Sequence, residues 1–235
     1  PHRGVFYALG KHDVVVAGDI GCYSLGAFKP LDRMDTILCM GGGVSMAHGL
    51  EKAGEPRKVV GVVGDSTFFH SGITGLLDIA YNRGSSTIIV LDNRTTAMTG
   101  HQDHPGTGRT LQGDATIAVS IEDIGRACGI ERVSVVNPYD LESTLKAIDE
   151  EMNADEPSLI VSRAPCPLRE RRRVGAVRKI NSEECKGCKL CLKLACPAIE
   201  LLGDMLQINA IFCGGCGICE QVCPAEAIAS EEAGK

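Results

Sequence analysis

The sequence predicts an α/β protein in which a doubly wound parallel sheet is followed by a small, cysteine-rich domain. Short β-rich runs alternate with helical patterns over roughly the first 165 residues. Eight of the twelve cysteines then fall between Cys185 and Cys223. A chain of 235 residues has room for one large and one small domain, which fits this division.

The strands and helices of the large domain follow from its hydrophobic pattern. Six β-rich runs predict strands at residues 13–17, 35–40, 58–63, 86–91, 130–135 and 158–162. Between them, apolar residues at helical spacing predict helices at 44–52, 73–82, 121–128 and 141–152. Strands joined by helical crossovers run parallel in one sheet, so we expect helices on both of its faces.

Composition and charge exclude several classes of function. No apolar run is as long as the roughly 18 residues that span a membrane, and the first residues do not form a signal peptide, so we expect a cytoplasmic protein. A net charge of −6 and the absence of tryptophan argue against nucleic-acid binding. Because the chain begins at Pro1 without an initiator Met, we expect it to be cut from a longer protein.

The eight C-terminal cysteines form two copies of one pattern, 28 residues apart. Each copy has three cysteines separated by two residues each, and then a cysteine followed by proline. Three thiolates at this spacing bind one [4Fe-4S] cluster, and the Cys-Pro cysteine of each copy binds the other cluster. The expected ligand sets are Cys185, Cys188, Cys191 and Cys223 for the first cluster, and Cys213, Cys216, Cys219 and Cys196 for the second.

Two zinc knuckles are the alternative interpretation of these cysteines, although zinc usually draws its ligands from two pairs. Residues 179–235 resemble the bacterial ferredoxins with two [4Fe-4S] clusters, and this resemblance implies a small α+β domain. The chain departs from the ferredoxin pattern by one additional residue between Cys191 and Cys196. That departure makes the second cluster the more labile of the two.

A basic stretch that includes Arg169, Arg171, Arg172 and Arg173 lies between the two parts of the chain. We therefore expect one domain at 1–168, a linker at 169–178 and a second domain at 179–235. A solvated linker is the simpler interpretation of the arginines. The alternative is a salt-sensitive contact with another subunit or an acidic electron carrier.

Glycine-rich and polar segments at 18–22, 41–43, 64–66 and 92–113 follow predicted strands. In a parallel sheet these positions meet at one edge, where ligands bind. Asp65 ends one strand and Asn93 follows the next, with 27 residues between them, so two oxygen ligands suited to Mg²⁺ and a diphosphate come together. Gly64 permits close backbone approach, and a helix beginning near Gly72 would offer N–H groups to an anion. An ordinary Gly-Asp turn is the alternative.

These motifs resemble those of the thiamine-diphosphate enzymes, with Ser66 in place of the second glycine. Residues 18–26, 40–43, 65–72 and 92–102 further resemble the alpha subunits of the indolepyruvate:ferredoxin oxidoreductases. The resemblance implies that an arylpyruvate and coenzyme A give an aryl-acyl-CoA and CO₂, with electrons passing from thiamine diphosphate through two clusters to ferredoxin. The alternatives are a sister enzyme for pyruvate, branched 2-oxoacids or 2-oxoglutarate, an electron-transfer module with a vestigial thiamine fold, and a non-oxidative decarboxylase.

The resemblance also implies which residues hold the cofactor. Asp65, Asn93 and the Thr95 carbonyl would bind Mg²⁺, and Cys22 would lie near the thiazolium ring. The other expected cofactor contacts are Asp19, Gly21, Gly41, Gly42, Gly43, Gly64, Ser66, Thr67 and Thr99.

His70 and His101 are the first candidates for proton donors or substrate contacts, ahead of His2 and His104. The other scattered cysteines, Cys39, Cys128 and Cys166, are expected to be small buried hydrophobes. No carboxylate here can be assigned to activate the aminopyrimidine ring of thiamine. We therefore expect a further thiamine-binding domain or subunit as a partner, besides a second oxidoreductase subunit, ferredoxin and the 2-oxoacid substrate.

Overall fold

A six-stranded parallel sheet forms the framework of the N-terminal part, in a computed structural model that describes residues 1–230. Its strands are β1 (Val14–Gly18), β2 (Thr36–Ile37), β3 (Lys58–Gly64), β4 (Thr87–Asp92), β5 (Arg132–Val136) and β6 (Ser158–Arg163). Their order is β2-β1-β3-β4-β6-β5, and every neighbouring pair is parallel. The predicted fold class is therefore confirmed.

Helices cover both faces of this sheet. They are α1 (Arg3–Leu9), α2 (Gly42–Lys52), α3 (Asp65–Thr67), α4 (Ile73–Tyr81), α5 (Ile121–Ala127) and α6 (Leu141–Met152). Because side chains alternate along a strand, Val60 and Val62 of β3 pack in one core with α1 and α6, while Val59 and Val63 pack in a second core with α2, α4 and α5. Burial on both faces explains why the central strands read as continuous apolar runs.

The element boundaries differ from the predicted ones in three places. The strand expected at 35–40 contains only Thr36 and Ile37, since the chain then turns at Gly41 into α2. The helix expected near Gly72 begins at Asp65: α3 leads through a π-helical segment, Phe68–Gly72, into α4. Helix α1 was not predicted, because its seven residues have neither a side-chain cap nor an acidic residue in the first turn.

The C-terminal part consists of short elements around two cysteine-rich loops. After α7 (Pro167–Glu170) come β7 (Arg178–Ile180), β8 (Ile199–Leu202), β9 (Met205–Ile208), α8 (Ile218–Gln221) and β10 (Ile228–Ser230). Strands β7 and β10 form one antiparallel ribbon, and β8 and β9 form another. This is the predicted α+β arrangement of a ferredoxin-like domain.

The C-terminal part packs directly on the α1 and α6 face of the sheet. Leu194, Ile218 and Ile228 belong to the same hydrophobic core as α1. The Gln221 side chain accepts a hydrogen bond from the Leu141 N–H at 2.8 Å and donates one to the Tyr139 carbonyl at 2.8 Å. The two parts therefore share one core within the described residues.

The basic stretch is not a solvated linker along its whole length. The Val174 N–H donates to the Gly214 carbonyl at 2.7 Å, and the Arg173 guanidinium donates to the Ala210 carbonyl at 2.8 Å. These bonds hold the stretch against the loop that carries the second cysteine triplet. No helix within residues 1–230 has the length and apolar character needed to cross a bilayer.

Candidate cofactor and cluster sites

Asp65 occupies the carboxyl edge of the sheet, directly after β3. Its side chain is buried, and its Oδ1 accepts a hydrogen bond from the Ser66 N–H at 2.8 Å. Its Oδ2 lies 3.0 Å from Nε2 of His104, which is also buried. Because the Gly106 N–H donates to Nδ1 of His104 at 3.2 Å, the proton of a neutral His104 is on Nε2, and His104 donates to Asp65. Asp65 is thus a buried carboxylate with a fixed orientation.

The loop after β4 brings the other two expected Mg²⁺ ligands to the same edge. Strands β3 and β4 are neighbours. Oδ1 of Asn93 accepts a hydrogen bond from the Thr95 N–H at 3.0 Å, which shapes the turn. The Thr96 hydroxyl then donates to the Ser66 hydroxyl at 2.8 Å. The structure therefore joins the loop of Asn93 to the start of α3, beside Asp65.

A glycine turn forms a second side of this edge. Gly41 has a φ of 83°, and a Cβ atom there would lie 2.1 Å from Oγ of Ser71, so a side chain would collide with Ser71. The Gly41 N–H donates to Oδ2 of Asp19 at 2.5 Å. Burial raises the pKa of Asp19, which has no exposed surface. The structure places Asp19 beneath the turn, where it supports Gly41 to Gly43.

Tyr23 is a residue of this region to which the sequence assigned no role. Its hydroxyl donates to Oδ1 of Asp19, and burial raises its pKa. Its ring lies across Gly21 and Gly64, where a Cβ atom would approach the ring to 2.3 and 2.8 Å. Two of the expected cofactor glycines are therefore required by the packing of Tyr23.

The candidate catalytic residues occupy separate positions around the edge. His70 is exposed in the π-helical segment, a conformation that occurs often at functional sites, and its Nδ1 lies 3.1 Å from Oγ of Ser71. His101 has a φ of 65°, and its buried Nδ1 has no hydrogen-bond partner in residues 1–230. Cys22 is exposed, although partial burial raises the pKa of its thiol. No hydrogen bond or ion pair in the described chain links these three residues.

The structure also shows the surroundings of the other predicted residues. Thr99 is exposed, and its hydroxyl donates to the Gln102 side chain at 2.7 Å. His2 is buried, its Nε2 lies 2.9 Å from the Ser162 carbonyl, and burial lowers its pKa to about 3, so it is neutral. Cys166 is buried as expected. The expectation was wrong for Cys39, which is exposed on the turn before α2.

An ion-pair network beneath the loop was also missed. Asp92, at the end of β4, is buried, and Nε of Arg163 on β6 donates to its Oδ2 at 2.6 Å. The Arg163 guanidinium also donates to both oxygens of Glu122 on α5, at 2.8 and 2.9 Å. Burial of Asp92 raises its pKa, whereas the bonds from Arg163 lower the pKa of Glu122 to about 2. The network ties β4, β6 and α5 together under the loop.

The eight C-terminal cysteines form two spatial groups. Burial raises the pKa of Cys191, and the neighbouring charges of Cys188, Cys185 and Cys223 raise it further. Burial likewise raises the pKa of Cys219 to about 12, and the neighbouring charges of Cys216, Cys196 and Cys213 contribute to this increase. Each group has the membership of one expected cluster set, and the four cysteines of the first line an apolar cavity.

The fold and these two sites define the class of protein: a thiamine-diphosphate-binding α/β domain joined to an iron–sulfur domain. The family model of the thiamine pyrophosphate enzyme C-terminal TPP binding domain matches residues 19–162. The model of the 4Fe-4S binding domain matches residues 206–229. The chain belongs to the thiamine pyrophosphate enzyme family.

The curated relatives point to one branch of this family and confirm the resemblance seen in the motifs. The chain is 40% identical to the indolepyruvate oxidoreductase subunit IorA of Archaeoglobus fulgidus, over 97% of this chain and 38% of that protein. It is 41% identical to the IorA subunit of Methanothermobacter marburgensis, over 98% of this chain and 39% of that protein. The chain thus spans less than two fifths of the length of these relatives.

Solved structures support the fold. A 2-oxoglutarate:ferredoxin oxidoreductase from Magnetococcus marinus aligns with a TM-score of 0.62 at 19% identity, over 70% of this chain and 60% of its own. A benzoylformate decarboxylase from Polynucleobacter necessarius aligns with a TM-score of 0.52 at 18% identity, over 71% of this chain and 34% of its own. At these identities the likeness concerns the fold of the sheet domain alone.

Proposed function

We propose that this chain forms the thiamine-diphosphate and cluster-binding part of a 2-oxoacid:ferredoxin oxidoreductase that acts on arylpyruvates such as indolepyruvate. In this reaction the 2-oxoacid and coenzyme A give an acyl-CoA and CO₂, and two electrons leave through the clusters to ferredoxin. The observation that carries the proposal is the packing of a ferredoxin-like part, with two groups of four cysteines, directly on a sheet whose edge holds a buried carboxylate.

The donor set at the edge fits Mg²⁺ and a diphosphate. Asp65, Asn93 and Thr95 offer only oxygen atoms, the ligands that Mg²⁺ prefers. Gly41 has a positive φ and no room for a side chain beside Ser71, so glycine is required in the turn, and α3 begins without a side-chain cap. Free N–H groups at a helix start favour an anion. When bound, thiamine diphosphate supplies a nucleophilic carbon and an electron sink for decarboxylation.

The residues of this chain then have distinct tasks. Asp65, oriented by His104, and Asn93 hold the cation. His70 is exposed beside the glycine turn and can exchange a proton with solvent or substrate. His101 has a free buried Nδ1 that can accept a hydrogen bond from a bound molecule.

The cysteine geometry favours two [4Fe-4S] clusters over zinc. Zinc would need four thiolates at about 2.3 Å from one point. Each of the two cysteine groups instead contains the triplet and the distant Cys-Pro cysteine that a cubane cluster takes as ligands.

The second cysteine group lies on the side of the ferredoxin-like part that faces the sheet. Tyr139, in the loop after β5, has a pKa that burial and the charges of Cys216 and Cys166 raise to about 12. The Cys166 N–H in turn donates to the Asn93 carbonyl at 2.9 Å. Cys166, which is bonded to the proposed Mg²⁺ ligand Asn93, and Cys216 of the second group thus both lie near enough to Tyr139 to raise its pKa, which supports electron transfer from the cofactor site to the second cluster.

The edge also carries surface that another domain or subunit would cover. Leu38, Met40 and Met98 expose between 42 and 54% of their surface near the proposed cofactor site. Apolar side chains gathered at one place on a protein surface mark an interaction site. Such a partner would supply the carboxylate for the aminopyrimidine ring, which is absent from the described edge of this chain.

The test is an anaerobic assay of the complete complex with coenzyme A and a viologen acceptor. Indolepyruvate, pyruvate, a branched 2-oxoacid and 2-oxoglutarate are compared by kcat/KM, and we expect indolepyruvate to have the highest value. A higher value for another 2-oxoacid would replace the substrate but keep the reaction class. Viologen reduction with none of them, or failure of thiamine diphosphate to bind, would refute the proposal.

A further inference from the structure

Arg169 differs from the other arginines of the basic stretch. Its side chain is 30% exposed, whereas that of Arg172 is 78% exposed and, within residues 1–230, pairs with Glu170 alone, at 3.7 Å. Arg169 lies on α7, immediately after the sheet domain and before the ferredoxin-like part. Its guanidinium points back to the carboxyl edge of the sheet, so it has a task that the charge pattern alone did not show.

All three hydrogen bonds of the guanidinium end in the loop after β4. Nη1 donates to Oγ1 of Thr95 at 2.8 Å and to the His101 carbonyl at 3.0 Å. Nη2 donates to Oδ1 of Asp103 at 2.8 Å. Thr95 is almost completely buried, so this bond is shielded from water. One planar group thus connects three points of a single loop, which is a geometry that arginine can form and lysine cannot.

These three points lie on the two arms of a turn. The Thr96 N–H donates to the Gln102 carbonyl at 2.9 Å, and the His101 N–H donates to the Thr96 carbonyl at 3.0 Å. Between the arms, Gly100 has a φ of 121° and His101 a φ of 65°. A non-glycine residue with positive φ is held in place by its surroundings. The Arg169 guanidinium bridges the arms, together with the Thr95 hydroxyl, which donates to the Gln102 carbonyl at 3.4 Å.

The base of Arg169 is fixed to the same loop. The Cys166 N–H donates to the Asn93 carbonyl at 2.9 Å, and the Arg169 N–H donates to the Cys166 carbonyl at 3.1 Å. The backbone before α7 therefore holds Asn93, while the side chain of α7 holds Thr95. Both are proposed Mg²⁺ ligands, so a single short element supports the two of them.

We infer that Arg169 is a positioning residue of the cofactor site, which fixes Thr95 and the turn around His101 in the geometry that binds Mg²⁺ and thiamine diphosphate. The inference rests on the proposed function. Partners that hold metal ligands from outside typically change metal affinity by about 10- to 100-fold when they are removed. The same element leads into the ferredoxin-like part, so the cofactor loop and the cluster-bearing part are held by one segment.

The experiment compares four forms of the anaerobically purified protein: wild type, Arg169→Gln, Arg169→Lys and the exposed control Arg172→Gln. Affinity for thiamine diphosphate is measured by calorimetry over a series of Mg²⁺ concentrations. Iron content and melting temperature report on the clusters and the fold. Limited proteolysis without cofactor reports on the loop at 94–103.

We expect Arg169→Gln to weaken the affinity by about tenfold or more and to expose the loop to cleavage, with iron content unchanged. Arg169→Lys should recover part of the affinity, because one ammonium group can reach some of the three acceptors. Arg172→Gln should stay within about twofold of wild type.

Equal affinities in Arg169→Gln and wild type would overturn the inference, even if the melting temperature fell, since that result would show a merely structural role. An equal loss in Arg172→Gln would also overturn it, because it would show a general effect of charge. A wild-type protein that binds no thiamine diphosphate would overturn the proposed function itself.

Discussion

His104→Phe is the substitution that most directly tests the organisation of the cation site. Phenylalanine keeps a ring against Phe69, whose centroid lies 5.6 Å from that of His104, but it removes the donor to Asp65. The Asp65 and His104 side chains are only 3 and 4% exposed, so water cannot replace the lost bond. Asp65 then keeps a single donor, the Ser66 N–H.

The size of the effect follows from the bond that is lost. A hydrogen bond to a charged group contributes roughly 1.5–3 kcal/mol. Without it, only the Ser66 N–H orients the buried carboxylate, so a cation must fix its orientation on binding. At about 1.4 kcal/mol for each factor of ten, Mg²⁺ affinity should fall by roughly 10- to 100-fold.

The assay is a Mg²⁺ titration at fixed thiamine diphosphate, with His104→Gln and His12→Phe measured in parallel. A glutamine amide can still donate to Asp65, so His104→Gln should recover most of the affinity. His12 also pairs with an aspartate, Asp149, at 3.3 Å, but it lies outside the site, so its substitution should not affect Mg²⁺ affinity. Wild-type Mg²⁺ affinity in His104→Phe would show that the hydrogen bond to Asp65 does not organise the cation site. The same conclusion would follow if His104→Gln bound Mg²⁺ as weakly as His104→Phe.

Three further predictions concern the clusters, the cation ligands and the fold. Anaerobic protein should contain about eight irons per chain, and zinc or about four irons at full reconstitution would contradict the cysteine assignment. Asp65→Ala should abolish Mg²⁺-dependent cofactor binding and Asn93→Ala should weaken it, while cluster absorbance stays intact. Undiminished affinity in both variants would mean that the motif is an ordinary turn without a role in cofactor binding. Arg163→Leu removes the 2.6 Å donor to buried Asp92 and leaves it the longer pair with Arg94 at 3.4 Å, which costs roughly 1.5–3 kcal/mol and should lower Tm by roughly 3–12 °C. Arg126→Leu, which breaks an exposed pair, should leave Tm nearly unchanged.

The parts of the structure that the sequence predicted are those with a periodic or exact local pattern. The strands at Lys58–Gly64 and Thr87–Asp92 are continuous apolar runs, and the helix at Leu141–Met152 has apolar residues at a helical period. The ends of all three elements were therefore predicted to within one residue. Cysteine spacing is equally local, since it is set by the reach of consecutive backbone turns around a cluster. Neither kind of signal depends on the tertiary fold.

The missed features all depend on contacts between residues far apart in sequence. His104 meets Asp65 across 39 positions, and Arg169 meets Thr95 across 74. The local sequence around a histidine in a polar loop, or around an arginine among other arginines, does not indicate which residues they contact. Helix α1 was missed for a related reason: its seven residues are stabilised by packing on α6 and the C-terminal part, not by local capping.

The packing of α1 has a consequence for electron transfer. Its apolar side chains lie in the same core as Cys191 and Cys219, one from each cysteine group, so the ferredoxin-like part cannot move away from the sheet without exposing that core. A tethered carrier would have to search for the reduced cofactor, and its transfer rate would depend on linker length. Here the Cys166 N–H is bonded to the Asn93 carbonyl, and the charges of Cys166 and Cys216 both act on Tyr139. Electrons from the proposed cofactor site would therefore pass at a distance set by the fold, and only the final step to ferredoxin would depend on diffusion and ionic strength.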